Sequence, residues 1–168
     1  MTAALEKLGD SGLRLVKFSG FFATPCFPEG AGPDYVNAVA SFTGIQDPYT
    51  VLSVLHDVEA EFGRQREVRW GQRVLDIDLI GLGAQVHPDP ETQIAWQNLS
   101  PDRQSIDAPD QLILPHPRLQ DRAFVLVPLA KVEPNWQHPV SGKTVTQMLD
   151  DLPEAEKSQV KPLNSAQI

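Results

Sequence analysis

Val74 to Leu82 reads VLDIDLIGL, and the reading of this run decides the fold. It is apolar at nearly every position, short, and closed by Gly83, which predicts a buried strand rather than a helix. Successive side chains leave a strand on opposite faces. Asp76 and Asp78 therefore share one face, and Leu75, Ile77 and Leu79 share the other. Two carboxylates in an apolar strand are costly unless something positive sits beside them. A divalent cation with a preference for hard oxygen ligands does this, commonly Mg²⁺ held by one or two carboxylates and by ligand phosphates. Arginines at the edge of the sheet would serve as well.

Working outward toward the N-terminus, Arg64, Arg66, Arg69 and Arg73 crowd a polar loop that follows Gly63. Guanidinium groups stay charged and match phosphate oxygens two at a time, so this loop suits a polyphosphate; as a solvated charged loop it would need no ligand. Trp70 lies inside it, where stacking on a planar ligand is a better use than core packing. Before the loop, Asp47-Pro48 is a helix start, and Val51, Leu55, Val58 and Phe62 form one apolar helical face.

Two further runs, Leu13 to Thr24 and Tyr35 to Phe42, alternate in polarity and are predicted to pair antiparallel. Tyr35 and Asn37 fall on one face of the second, an aromatic beside an amide. Residues 2–8 read as helix. Toward the C-terminus, residues 84–110 are rich in Pro, Asp, Gln and Ser and read as a long surface insertion. A short strand is predicted at 112–114, then Pro115-His116-Pro117-Arg118, in which the prolines restrain His116, and Arg122 follows four residues after Arg118. Helices are expected at 121–131 and 144–152. The order of elements predicts one α+β domain over 1–152, with helices on a mainly antiparallel sheet, and a disordered polar tail over 153–168.

Composition sets limits on function. Of 168 residues, 41% are hydrophobic, no run is long enough to span a membrane, and the first residues lack the apolar stretch of a secretory signal. The lone Cys26 suits a reducing compartment, so a cytoplasmic location is expected. A net charge of −8 argues against a nucleic-acid partner.

Taken together, GRQREVRWGQRVLDIDLIGLG (63–83) and LILPHPRLQDRAFVLVPLAKVEP (112–134) closely resemble the 6-hydroxymethyl-7,8-dihydropterin pyrophosphokinases of folate biosynthesis, and Thr24-Pro25 and DYVNAV (34–39) fit in order. The resemblance implies a ferredoxin-like α/β sandwich that moves the β,γ-diphosphate of ATP to the pterin's hydroxymethyl oxygen, leaving AMP. It implies two Mg²⁺ ions on Asp76 and Asp78, catalytic roles for Arg64 and Arg73, and a closing loop with Arg66, Arg69 and Trp70. Glu59, His116 and Arg122 would line the nucleotide side with Arg66, Arg69, Trp70 and Arg73. Thr24, Pro25, Tyr35, Asn37, Trp70 and Phe124 would line the pterin side. Family members begin with a central strand and a Gly-Ser-Asn turn before the first helix, whereas this chain begins within that helix. The strand is therefore expected to be missing, and a non-catalytic nucleotide- or pterin-binding relative is the alternative. Docking of another folate-pathway enzyme is left open.

Overall fold

The two alternating runs do pair, as an antiparallel ribbon with one break between its halves and a further register shift between Leu15 and Lys17. A computed structural model describes residues 1–26, 33–63 and 75–164. In it β1 (Arg14–Phe18) pairs with β4 (Ala40–Thr43), and β2 (Phe22–Thr24) pairs with β3 (Tyr35–Asn37). Each predicted strand is split because the register slips: Phe18 faces Ala40 and Phe22 faces Asn37, four steps on one side against three on the other. The extra residue lies at Ser19-Gly20-Phe21, where Gly20 has a φ of +79°, open to glycine at little cost. Ser19 bridges the break, its N–H donating to Val39 O (2.9 Å) and its Oγ accepting from Val39 N (2.9 Å).

Helix α1 (Thr2–Asp10) and helix α2 (Pro48–Glu61) pack on one side. The α2 start is as predicted, with Asp47 Oδ2 accepting from Thr50 N at 2.8 Å, and its buried stripe is Val51, Leu55 and Val58. Those residues join Ala4, Leu8 and Leu13 in one apolar cluster, against which Phe42, Leu75, Ile77 and Leu79 pack. A second cluster holds α5 (Ala123–Val132) against α6 (Val145–Asp151), with Val39, Ile80 and Trp136 packed on it. Helices thus lie on antiparallel strands, an α+β architecture. Among the described residues, no helix is long and apolar enough to cross a membrane.

Four expectations are corrected. The described part of the predicted strand, 75–82, belongs to no sheet. It keeps the predicted sidedness but not the ladder: Ile77 N–H is taken by a side chain, Glu59 Oε1 at 2.8 Å, and Ile80 O accepts from His116 N at 2.9 Å. Likewise the predicted strand at 112–114 reduces to an isolated bridge between Leu114 and His87. The 84–110 insertion is built into α3 (Pro90–Gln97) and α4 (Pro101–Ile106) rather than lacking regular structure. The tail expected to be disordered from Pro153 forms α7 (Glu154–Lys157) and β5 (Lys161–Pro162). Strand β5 pairs with β2, and buried Val160 packs with Phe22 and Ala123. Apolar anchors spaced this sparsely leave no periodic signal in the sequence.

Candidate active site

The segment 75–82 is held from both sides, which fixes where its carboxylates stand. Leu75, Ile77 and Leu79 are drawn onto the α1–α2 cluster, so Asp76 and Asp78 are turned to the exposed side. Glu59 is only 2% exposed, and its carboxylate grips the backbone between the two aspartates through Ile77 N. Farther along, Trp136 Nε1 donates to Gly83 O at 2.9 Å. A β-carbon at Gly81 would meet the Trp136 ring at 3.0 Å, so a glycine there lets the indole close over the segment.

Opposite Asp76 and Asp78 stand His116 and Arg122. His116 follows the cis Leu114–Pro115 bond, and its Nδ1 accepts from Arg118 N at 3.1 Å. The neutral ring therefore carries its proton on Nε2. Burial pushes the His116 pKa down, while the nearby Asp78 carboxylate opposes that shift. Arg122 caps α5 and has its guanidinium 5.5 Å from the centre of the Phe124 ring. Burial lowers its pKa too, again with Asp78 acting in the opposite direction.

Two cavities meet at the acidic pair. The larger, about 620 Å³, is lined by Glu59, Asp76, Asp78, His116, Arg118 and Arg122 among others. The smaller, about 460 Å³, is lined by Asp76, Asp78, Asn37 and Phe124 together with much apolar surface. Asp76, Ile77, Asp78 and Leu79 belong to both walls. The arrangement provides a polar compartment in which Arg118, Arg122 and His116 can donate to a polyanion and an apolar compartment with an amide, divided by two hard anionic oxygen donors.

Not every predicted residue is gathered here. Of the nucleotide set, Glu59, His116 and Arg122 line the larger cavity. Of the pterin set, Asn37 and Phe124 line the smaller, while Thr24 reaches it indirectly, its Oγ1 accepting from Asn37 Nδ2 at 2.7 Å. Pro25 and Tyr35 are exposed and line neither of these cavities. Tyr35 sits two residues from Asn37 but at the outer end of a three-residue strand, where shared sidedness does not bring it inward. Arg64, Arg66, Arg69, Trp70 and Arg73 lie outside the described residues.

Sequence reasoning missed Tyr49, Leu52, His56, Arg118 and Trp96 on the cavity wall. For α2 the signal was present: positions 49, 52, 56 and 59 recur at helical spacing on the face away from Val51, Leu55 and Val58. For Trp96 it was hidden in a segment read as irregular.

Residues 1–134 match the family described as 7,8-dihydro-6-hydroxymethylpterin-pyrophosphokinase (HPPK). Three relatives bear the name 2-amino-4-hydroxy-6-hydroxymethyldihydropteridine pyrophosphokinase. That of Synechocystis sp. is 34% identical over 84% of this chain and 62% of the relative. That of Methylorubrum extorquens is 33% identical over 90% of this chain and 83% of the relative, and that of Pseudomonas aeruginosa 32% over 89% and 78%. The chain thus spans under two thirds of the Synechocystis protein's length but most of the other two. The acidic pair and the cavities around it are therefore features of a chain that belongs to the 7,8-dihydro-6-hydroxymethylpterin-pyrophosphokinase family.

Proposed function

We propose that this chain transfers the β,γ-diphosphate of ATP to the hydroxymethyl oxygen of 6-hydroxymethyl-7,8-dihydropterin, in the folate pathway of the cytoplasm. The single observation that carries this reading is that Asp76 and Asp78 line both cavities at once. An acidic pair shared by an arginine-bearing polar compartment and a largely apolar one sits where two substrates would meet.

Bond changes balance as follows: the pterin hydroxyl oxygen forms a bond to the β-phosphorus, the bond from that phosphorus to the α–β bridging oxygen breaks, and the hydroxyl proton is released. AMP and the pterin diphosphate leave. Two exposed carboxylates fit Mg²⁺, which takes few protein oxygens and fills its shell with phosphate and water; two ions are proposed here. When bound, Mg²⁺ would supply charge neutralisation and hold the phosphate oxygens in line. His116 Nε2–H, Arg118 and Arg122 then donate to phosphate oxygens, while buried Glu59 keeps the Asp76–Asp78 backbone in place. Asn37 offers both a donor and an acceptor to the pterin's amide edge, and Phe124 a ring for its face. Arg64 and Arg73 are proposed to neutralise charge on the leaving α-phosphate, with Arg66, Arg69 and Trp70 closing over the substrates. The sheet is proposed to be the ferredoxin-like one, with β4 and the 75–82 segment as neighbours of a central strand. What supports this is the smaller cavity, walled by the unbroken runs 37–43 and 75–83, as strand edges would wall it.

The test is AMP release from MgATP with and without the pterin. Pterin-dependent AMP is expected, and Asp76→Ala or Asp78→Ala should lower kcat by about 10²-fold or more with circular dichroism unchanged. Full turnover in both variants would overturn the assignment.

A further inference from the structure

The cavity of about 620 Å³ has several walls, and one of them is supplied by the 84–110 insertion. Along α2 the lining residues run from Glu59, beside the aspartates, back to Tyr49, roughly 15 Å away at 1.5 Å per residue. Phosphate donors, the His116 Nε2–H and the guanidinium groups of Arg118 and Arg122, gather around the Asp76–Asp78 end. The insertion contributes a different chemistry: Trp96, with the carboxylates of Asp107 and Asp110. The two guanidinium groups on this wall, Arg118 and Arg122, suit the phosphates, whereas the insertion brings no described cationic side chain to the cavity, Arg103 being paired with Asp107 (Nε to Oδ2, 2.6 Å), so the remainder of the nucleotide goes toward the insertion.

Helix α3 is built to hold Trp96 there. Asp89 caps it, accepting from Thr92 N at 2.9 Å. Gln93, fully buried, ties it to the His116 turn through Nε2 to Pro115 O at 3.3 Å. The backbone of His87 exchanges hydrogen bonds with Leu114, N to O at 2.9 Å and O from N at 3.0 Å. Trp96, three residues beyond Gln93, is half-buried while lining the cavity, and its indole N–H donates to no described residue. A tryptophan serving only as core would turn its ring inward and find a partner for that N–H. Tyr49, the other large ring on this wall, is more than half exposed and meets His87 edge-on.

We propose that Trp96 is the stacking platform for the nucleobase of ATP, so that the 84–110 insertion forms part of the nucleotide site. This rests on the proposed function for the identity of the nucleotide. Two measurements test it. Steady-state kinetics should show that Trp96→Ala raises KM for ATP about tenfold, a loss of the size expected for one stacked base, with kcat and the pterin KM within about twofold; Trp96→Phe, which keeps a ring, should recover most of that loss. In a titration with a non-hydrolysable MgATP analogue, carried out in a Trp70→Phe background so that the loop tryptophan does not contribute, the change in tryptophan emission should be largely absent once Trp96→Phe is added. An unaltered KM in folded Trp96→Ala, or an emission change fully retained in Trp96→Phe, overturns the proposal while leaving diphosphate transfer intact. If the unaltered chain makes no pterin-dependent AMP but the emission change depends on Trp96, the functional reading falls and the nucleobase platform stands.

Discussion

His138 shows how one side chain can carry a pH dependence without touching the site. It is 1% exposed, and its Nδ1 accepts from both Val140 N and Ser141 N at 3.2 Å. The proton of the neutral ring must then sit on Nε2, a buried nitrogen without a partner among the described residues. Charging the ring would place a proton on Nδ1, against two N–H donors, in a site that water does not reach. Burial accordingly pushes its pKa below the ordinary value near 6.5. The sign follows directly: between the folded and the unfolded value the unfolded chain binds more protons, so stability is fully present above about 6.5 and is lost as pH falls toward the folded value. Urea unfolding from pH 7.5 to 5 should show this fall, and His138→Gln should flatten part of it; an identical pH profile in the variant would refute the assignment. At this scale the sequence was legible where a residue's partners are near in the chain. Asp76 and Asp78 were readable from period two. His56, His87 and His138 were not, because their neighbours, a cavity wall, Leu114 and a buried turn, are set by the fold.

Elements were legible when they carried their own start signal. Asp47-Pro48 announced α2. Asp89-Pro90 carries the same signal for α3, yet the surrounding Pro and Gln content masked it, since α3 buries a polar residue, Gln93, where an apolar one is expected. The 75–82 run failed differently: its alternation survives in the packing, but strand formation needs a partner edge, and that is not a local property. Helix α6 gives a clean test of how much a cap contributes. Thr144 Oγ1 accepts from Gln147 N at 3.2 Å, and Gln147 Oε1 accepts from Thr144 N at 2.9 Å, a reciprocal capping box. It orients Val145 and Met148 into the cluster shared with α5, the helix that Arg122 caps. Thr144→Ala should cost about 1 kcal/mol in chemical denaturation. Because neither Thr144 nor Gln147 lines either cavity at the acidic pair, KM values should not move. A variant with altered KM for ATP at full stability would show that α6 communicates with the site.

Across the whole molecule, charge decides how ATP is admitted. The chain carries a net −8, so a free triphosphate meets overall repulsion, and two exposed carboxylates face it at the site itself. His116, Arg118 and Arg122 offset only part of this, and His116 is held neutral by burial. Affinity must therefore depend on a cation that converts Asp76 and Asp78 from repulsive to attractive. A ligand at a hundred times its Kd adds about 2.7 kcal/mol to stability, which for a chain of this size raises Tm by about 5–10 °C. MgATP should give such a shift, whereas ATP with a chelator should leave Tm unchanged. In the double variant Asp76→Asn, Asp78→Asn the repulsion is gone along with the ligands for the cation. That variant should respond alike to ATP with and without Mg²⁺, through the arginines alone. An equal shift with and without Mg²⁺ in the unaltered chain would mean that the arginines suffice to bind ATP and that the acidic pair does not hold the cation.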